Sequence, residues 1–184
     1  MEAMRRLRAF TLLELLVVMS IIAVLAALST VVWQRTQRTS KASACMSNLR
    51  QLGTALTRYV GENDGTFPTL AAMREKKTDP QPSIDVALKP YLTDMRVFNC
   101  PGDDQRIWEA SGTSYFWNWK LNGQKLGNLS VAFFGSDAIQ DSSRIMVMFD
   151  KQGFHPHLND KLNVLYADGH ASQELTFVDE SPEK

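Results

Sequence analysis

The segment FTLLELLVVMSIIAVLAALSTVVW, residues 10–33, is almost uniformly apolar, and the architecture of the whole chain follows from it. Glu14 is its only ionisable side chain, and no charge occurs in the 19 residues from Leu15 to Trp33. At about 1.5 Å of rise per residue, those residues form roughly 28 Å of helix, close to the ~30 Å hydrocarbon core of a bilayer. We therefore predict a transmembrane helix over residues 10–33.

Two simpler interpretations of this segment are a secretory signal peptide and a plain membrane anchor. A signal peptide has an apolar core of about 7–15 residues and ends in small residues, which Ala26 and Ala27 would provide. The segment is longer than such a core and carries a carboxylate near its start. A plain anchor explains the length but not Glu14, because a carboxylate is costly to bury in lipid. We therefore expect Glu14 to have a partner or a function.

Basic residues flank the apolar segment on both sides: Arg5, Arg6 and Arg8 precede it, and Arg35, Arg38 and Lys41 follow it. The two flanks carry similar numbers of basic residues, so the positive-inside rule hardly favours one orientation over the other. The preceding flank is very short and compactly basic, so we predict a single-pass topology in the cytoplasmic (inner) membrane with a cytoplasmic N-terminus. The C-terminal domain is then periplasmic or otherwise extracytoplasmic.

The residues around the start of the segment resemble a processing site. The run RAFTLLEL, residues 8–15, resembles the N-terminal motif of type IV prepilins and type II secretion pseudopilins. In that family a membrane peptidase cuts after a small residue, usually Gly, and methylates the new N-terminal Phe. The resemblance implies a basic leader over residues 1–9 and cleavage between Ala9 and Phe10, with Ala in the place of Gly. Glu14 is then the fifth mature residue, the family's invariant Glu. The new α-ammonium of Phe10, on the same or a neighbouring subunit, is its expected partner in assembly.

The helix is predicted to continue beyond the membrane. Apolar residues recur at spacings of three and four, which indicates one buried helical stripe: Cys45, Leu49, Leu52, Leu56 and Tyr59. Gly61 and the pair Asp64-Gly65 provide stop signals. We predict an amphipathic continuation over residues 34–61, so that the whole helix is roughly 76 Å long.

The remaining chain predicts an extracytoplasmic α+β domain over residues 62–178, followed by a flexible tail over residues 179–184. Repeated prolines indicate irregular structure with one or two short helices over residues 69–112. From Tyr115 onward, a side-chain pattern with a period of two predicts strands joined by tight turns. The predicted fold is α+β and pilin-like: a long N-terminal helix, transmembrane in its first half and amphipathic in its second, packed on a small antiparallel β-sheet.

The alternation of Tyr115, Trp117 and Trp119 with their neighbours predicts a strand that ends in a hairpin turn at Asn122-Gly123. We interpret these aromatic side chains as sheet core or cross-strand pairs rather than a stacking platform for a sugar or a base, because Lys120 is the only basic residue among them. Further apolar runs predict strands over residues 129–134, 145–149 and 163–167, the last leading into a hairpin at Asp168-Gly169.

Several local segments also resemble a bacterial subset of these proteins, described as prepilin-type proteins with a C-terminal His-x9-Asp-Gly motif. The segments are residues 45–53, 64–68, 98–103 and 163–170. Asp168 and Gly169 match the end of that motif. His157 is the candidate for its histidine, although ten residues rather than nine separate it from Asp168.

The sequence does not predict a metal centre. His155 and His157 have a spacing that suits metal ligands. However, Pro156 lies between them, His170 flanks a turn, and neither Asp160 nor Asp168 supplies a well-spaced third ligand. We predict no catalytic residues, no bound metal and no cofactor. A structural calcium ion is conceivable on loop oxygen atoms, but the spacing assigns no site among the candidates, which are Asp137, Asp141, Asn159 and Asp160.

Cys45 and Cys100 are the only two cysteines, and both lie in the part expected outside the cytoplasm, where disulfides persist. A bridge would close a loop of 54 intervening residues and stabilise the domain by roughly 4 kcal/mol in the chain-entropy model. The alternative is a buried Cys45 beside a free thiol at Cys100. We predict the disulfide.

These observations predict a structural subunit of a type IV pilus-like or type II secretion pseudopilus filament rather than an enzyme. Its expected partners are prepilin peptidase, other pilin or pseudopilin subunits, the membrane assembly platform and the lipid bilayer. The formal net charge is zero, so no direct binding of nucleic acid is expected. The alternative is a membrane-anchored periplasmic binding protein or metal-dependent enzyme. The sequence does not choose between a pilus, a secretion pseudopilus and a DNA-uptake filament.

Overall fold

The computed structural model describes residues 11–132, 138–151, 153–157 and 162–173. The predictions of a leader, of cleavage at the Ala9–Phe10 bond and of a flexible C-terminal tail lie outside these residues.

The chain divides into two compact units, Met1–Thr39 and Ser40–Lys184. One α-helix, α1, runs from Leu12 to Glu62 and confirms the predicted long N-terminal helix. In the first unit its large apolar side chains are between 45 and 86% exposed. By length and composition this part of α1 is able to cross a membrane. Among the described residues, the first half of α1 therefore has no protein core of its own.

The second half of α1 is amphipathic and belongs to the second unit. The predicted stripe forms one side of the core there, since Cys45, Leu49, Leu52 and Leu56 are at most 5% exposed. Tyr59 is partly buried and packs against the same core. The helix ends at Glu62, one residue beyond the predicted boundary. The left-handed backbone of Asp64 and Gly65 lets the amide of Gly65 donate to the carbonyl of Val60 at 2.9 Å.

A four-stranded antiparallel sheet completes the core. Its strands are β1, Tyr115–Trp117; β2, Met146–Asp150; β3, Val164–Tyr166; and β4, Ala171–Ser172, in the spatial order β1-β2-β3-β4. The β3–β4 pair is the hairpin predicted at Asp168-Gly169. The architecture is therefore α+β and pilin-like, as predicted.

Two short α-helices follow α1 along the chain before the first strand, namely α2, Ile84–Ala87, and α3, Ile107–Ser111. Short 3-10 turns accompany them at Lys89–Tyr91 and Met95–Phe98. This arrangement agrees with the irregular, proline-interrupted segment predicted there.

Arg74 is buried and connects α2 with α3. Its Nε donates to the carbonyl of Ser111 at 2.8 Å, and its Nη2 forms an ion pair with the carboxylate of Asp85.

The predicted hairpin at Asn122-Gly123 is wrong. β1 ends at Trp117, and a 3-10 turn, Trp119–Leu121, follows. Asn118 ends the strand, because its Oδ1 accepts from the amide of Lys120 at 3.2 Å while its Nδ2 donates to the carbonyl of Met146 at 2.7 Å. Such local side-chain bonds compete with the strand ladder.

The strand predicted over residues 129–134 is represented by one isolated bridge, between Val131 and Ile139. Residues 133 and 134 lie outside the described ranges.

Candidate functional site

Two features of the described residues have the geometry of functional groups. The first is the start of α1. Thr11 precedes the helix, and its amide and hydroxyl donate to Glu14 Oε2 at 2.9 and 2.8 Å. The amide of Glu14 in turn donates to Thr11 Oγ1 at 3.2 Å. This reciprocal pair is a capping box, which satisfies amides that lack intrahelical partners.

The sequence interpretation of Glu14 missed this local role, although the pattern Thr-x-x-Glu before an apolar run predicts it. Glu14 is thus held at the first turn of α1. Its carboxylate accepts hydrogen bonds from Thr11, which follows Phe10 in the sequence, and Phe10 is the residue that would carry a new α-ammonium after cleavage. Whether Glu14 pairs with that ammonium stays a prediction.

The second feature is a buried cluster in the second unit, formed by Cys45, Cys100, Asp150 and His155. One ligand atom from each residue lies within 4.8 Å of all the others. None of the four residues is more than 1% exposed. The cluster therefore brings together two sulfurs, one carboxylate and one imidazole without access to solvent.

Four separate elements contribute to this cluster, hereafter the Cys-Asp-His cluster. Cys45 lies on the buried stripe of α1, and Cys100 follows the 3-10 turn at Met95–Phe98. Asp150 is the last residue of β2, and His155 lies in the loop after that strand. The packing of α1 on the sheet is therefore what assembles the cluster.

The distances within the cluster are short. Cys45 Sγ donates to Asp150 Oδ1 at 3.1 Å, and Cys100 Sγ lies 3.3 Å from His155 Nε2. His155 Nε2 lies 3.6 Å from Asp150 Oδ2. These contacts form a closed group of polar atoms inside the core of the domain.

Surrounding groups hold the four side chains in place. The amide and the side-chain Nδ2 of Asn163 donate to Asp150 Oδ2 at 2.8 and 3.0 Å. The amide of Gly102 donates to Cys100 Sγ at 3.4 Å, and the hydroxyl of Tyr115 lies 3.2 Å from Cys45 Sγ.

Burial shifts the acid–base behaviour of the cluster. It raises the pKa of Asp150 to about 6 and lowers the pKa of His155 to about 4. Burial also raises the pKa of the Cys45 thiol and of the Tyr115 hydroxyl. Desolvation thus favours the neutral form of each group. Among the described residues, no Lys or Arg forms an ion pair with Asp150 to offset that effect.

The sequence reasoning did not find this cluster. It paired His155 with His157, but only His155 is buried, while the exposed ring of His157 lies edge-on to it at 6.0 Å. Asp150 lies close to His155 in the sequence, but it follows an apolar run that was read only as a strand, so it was not considered as a ligand. Cys45 and Cys100 are free thiols in this structure, and the predicted disulfide between them stays a prediction.

The residues of the C-terminal motif lie elsewhere. Asp168 and Gly169 form the β3–β4 turn, where Gly169 adopts a φ of +91° and Asp168 Oδ1 contacts His170 Nδ1 at 2.6 Å. The Cys-Asp-His cluster includes none of these three residues and not His157. The turn explains the Asp-Gly pair in structural terms, and the role of His157 stays untested.

The calcium candidates can be placed only in part. Asp141 is exposed, and its Oδ1 accepts from the amide and the hydroxyl of Ser143 at 2.9 and 2.8 Å. The other three candidates, Asp137, Asn159 and Asp160, lie outside the described residues.

Comparison with known proteins bears on the N-terminal segment. Residues 4–30 match the family described as the prokaryotic N-terminal methylation motif. No curated protein and no solved structure matches this chain. The chain therefore carries the type IV prepilin-like signal. This signal implies processing by a prepilin peptidase and assembly with other pilin subunits, and together with the apolar helix it indicates membrane anchoring.

Proposed function

We propose that this chain is a subunit of an extracytoplasmic filament, of the type IV pilus or type II secretion pseudopilus kind. The subunit is inserted in the cytoplasmic membrane with its N-terminus inside and is cut between Ala9 and Phe10. Its mechanism is mechanical, since the addition of subunits at a membrane assembly platform extends the filament or pushes a cargo.

The division of α1 into two halves is the observation that carries this proposal. Its first half exposes large apolar side chains and lies largely within the methylation motif at residues 4–30. Its second half buries a stripe in the core of the domain. A helix that is apolar all round needs either lipid or other helices around it. In a subunit that moves from the bilayer into a filament, this half of α1 is surrounded first by lipid and then by the helices of other subunits.

The competing function, a membrane-anchored binding protein or metal-dependent enzyme, receives less support. The Cys-Asp-His cluster is the group of described residues best suited to bind a metal, but its four members are at most 1% exposed. A catalytic metal keeps an open position for water or substrate. A closed cluster is better suited to a structural role.

Mass spectrometry of the N-terminal peptide tests the proposal on protein isolated from its native membrane. We expect a mature chain that begins at a methylated Phe10. An intact leader over residues 1–9 would favour the plain anchor and its binding or catalytic functions. A chain that begins at Leu28, after Ala27, would identify a secretory signal peptide and would also refute the proposal.

Electron microscopy of sheared cell-surface material and of detergent-solubilised membranes tests the assembly step separately. We expect the processed chain to occur in filaments, or to form them when it is overproduced together with its peptidase and platform. A processed chain that stays monomeric under both conditions would contradict the proposed filament while leaving the cleavage result valid.

A further inference from the structure

We propose that Cys45, Cys100, Asp150 and His155 form a closed structural binding site for a zinc(II) ion. The proposal concerns the folded domain and does not depend on the filament function. It rests on the identity of the four donors, on their mutual distances and on the groups that surround them.

The donor set suits zinc. Zinc(II) binds thiolate sulfur at about 2.3 Å and imidazole nitrogen or carboxylate oxygen at about 2.0–2.2 Å, in tetrahedral geometry with four protein ligands at structural sites. Those bond lengths separate neighbouring donors by about 3.3–3.8 Å. The observed distances of 3.1 Å between Cys45 Sγ and Asp150 Oδ1 and of 3.3 Å between Cys100 Sγ and His155 Nε2 lie close to this range, and the four residues have ligand atoms within 4.8 Å of one another. Calcium and magnesium prefer oxygen ligands throughout, so two sulfurs disfavour them.

The two oxygens of Asp150 have different surroundings, and the difference favours a metal. Oδ2 accepts two hydrogen bonds from Asn163, which fixes the carboxylate. Among the described residues, Oδ1 accepts only the proton of the Cys45 thiol. When zinc binds, the two thiol protons leave, and Oδ1 becomes available as a ligand. Asn163 then acts as the outer-sphere partner that orients it.

Each of the two sulfurs also has a nearby hydrogen-bonding group that can stabilise a thiolate. The amide of Gly102 points at Cys100 Sγ, and the hydroxyl of Tyr115 lies beside Cys45 Sγ. Hydrogen bonds to a charged group favour its charged form. Each of the two sulfurs therefore has a neighbour that stabilises the thiolate a metal requires.

The predicted disulfide is the main competitor, and it accounts for less of the cluster. A disulfide has no proton, so Asp150 Oδ1 would lose the thiol that donates to it. Asp150 Oδ2 would keep its hydrogen bonds from Asn163, but Asp150 Oδ1 and His155 Nε2 would both lose their thiol partners, and a buried polar atom without a partner destabilises a fold. Zinc gives a role to all four residues, whereas the bridge gives a role to two.

Metal content and thiol state in the full-length chain test this proposal. For metal content and thiol protection, the protein is purified in detergent at neutral pH without chelators or reductants. The native redox state of the two cysteines is read from a separate sample of cells quenched with acid and alkylated under denaturing conditions. We expect about one zinc per chain by elemental analysis, as one tetrahedral site requires. We also expect both thiols to resist alkylation until a chelator and a denaturant are added. Cobalt(II) added alone to the chelated protein should give the intense visible absorption of a tetrahedral site together with a thiolate charge-transfer band.

Variants locate the ion. Asp150→Asn and His155→Gln each remove one donor while both thiols stay in place, and each should weaken zinc binding by more than the ~10–100-fold typical of an outer-sphere substitution. His170→Gln is the matched control, because His170 is a partly exposed histidine outside the cluster, and it should retain wild-type zinc content. If a variant fails to fold, the zinc content and the cobalt spectrum of the wild-type chain still show whether the chain binds zinc at a tetrahedral site.

Two results would overturn the proposal. One is a Cys45–Cys100 disulfide in the quenched native chain, which would support the bridge instead. The other is a reduced chain that contains no zinc, gives no tetrahedral cobalt spectrum and unfolds at the same temperature with and without a chelator.

Discussion

The backbone of Gly102 lies directly against the imidazole ring of His155. A Cβ atom built on Gly102 would be 2.7 Å from Cε1 and 3.2 Å from Nδ1 of that ring. The backbone of Gly102 is not in the left-handed region, so alanine meets no conformational obstacle there. We therefore expect Gly102→Ala to displace His155 and to lower zinc affinity by about 10–100-fold, as loss of an outer-sphere support does.

Competition of the full-length protein with a chelator of known affinity measures this effect. Gly127→Ala is the matched control, because no atom lies within 4 Å of a Cβ placed there. Equal zinc affinity for both variants would show that the contact between Gly102 and His155 does not position the ring.

The capping box allows the charge of Glu14 to be tested apart from its hydrogen bonds. Glu14→Gln keeps an acceptor for the Thr11 amide and hydroxyl but removes the charge, whereas Glu14→Val removes both. We expect both variants to enter the membrane at least as well as the wild type, because a costly charge is gone. Both should assemble poorly, because the ammonium of Phe10 loses its partner. Co-assembly with wild-type subunits measures the defect.

Thr11→Val supplies the complementary control, since it removes the hydroxyl of the capping box while Glu14 keeps its charge. Efficient assembly of Glu14→Gln together with poor assembly of Thr11→Val would show that Glu14 acts by capping the helix and not through its charge.

Arg74 should be among the most sensitive charged residues of the domain. Its ion pair with Asp85 is buried, with side-chain exposures of 6% and 12%. Arg74→Met leaves the Asp85 carboxylate and the Ser111 carbonyl without this donor, and removal of one partner of a buried pair typically costs about 3–5 kcal/mol. Chemical unfolding of the domain, followed by near-ultraviolet circular dichroism, measures the loss.

The matched control for that experiment is Arg96→Met. Arg96 pairs with Asp94 at the surface, and 84% of its side chain is exposed. Exposed ion pairs are screened by solvent, so we expect no measurable change in the unfolding midpoint. Similar losses for both variants would contradict the structural distinction between the two pairs.

Two tryptophans separated by one residue should respond very differently to truncation. Trp117 is 2% exposed, and its Nε1 donates to Asn122 Oδ1 at 2.8 Å. Trp117→Ala should lower the free energy of unfolding by about 3–5 kcal/mol. Trp119 is 58% exposed, and Trp119→Ala should change it by no more than about 0.5 kcal/mol. A large loss at both positions would mean that Trp119 is buried in the native assembly.

Local sequence predicted the elements whose own periodicity defines them. The spacing of Cys45, Leu49 and Leu52 predicted the buried face of α1, and the Asp64-Gly65 pair predicted where that helix ends. The hairpin predicted at Asn122-Gly123 failed for a local reason as well, because the side chain of Asn118 ends β1 before the turn is reached. The alternating aromatic residues gave no indication of that competition.

The Cys-Asp-His cluster could not be predicted in this way, because its residues share no local spacing. Cys45 was assigned to the apolar stripe, and Asp150 belongs to a strand that the sequence defined only by its apolar residues. Their contact depends on how α1 packs on the sheet, which is a tertiary property. Burial alone separates His155 from the nearby His157, and a single sequence does not show it.

The exposed apolar side chains in the first half of α1 bear on whether assembly of the proposed filament is reversible. Lipid tails are as apolar as the side chains from Leu12 to Trp33, so a helix that leaves the bilayer for a bundle of similar helices gains almost nothing from the hydrophobic effect. The return of the helix to the bilayer costs equally little free energy of transfer. In the proposed filament we therefore expect subunits to be able to return intact to the membrane, without unfolding the domain that each one carries.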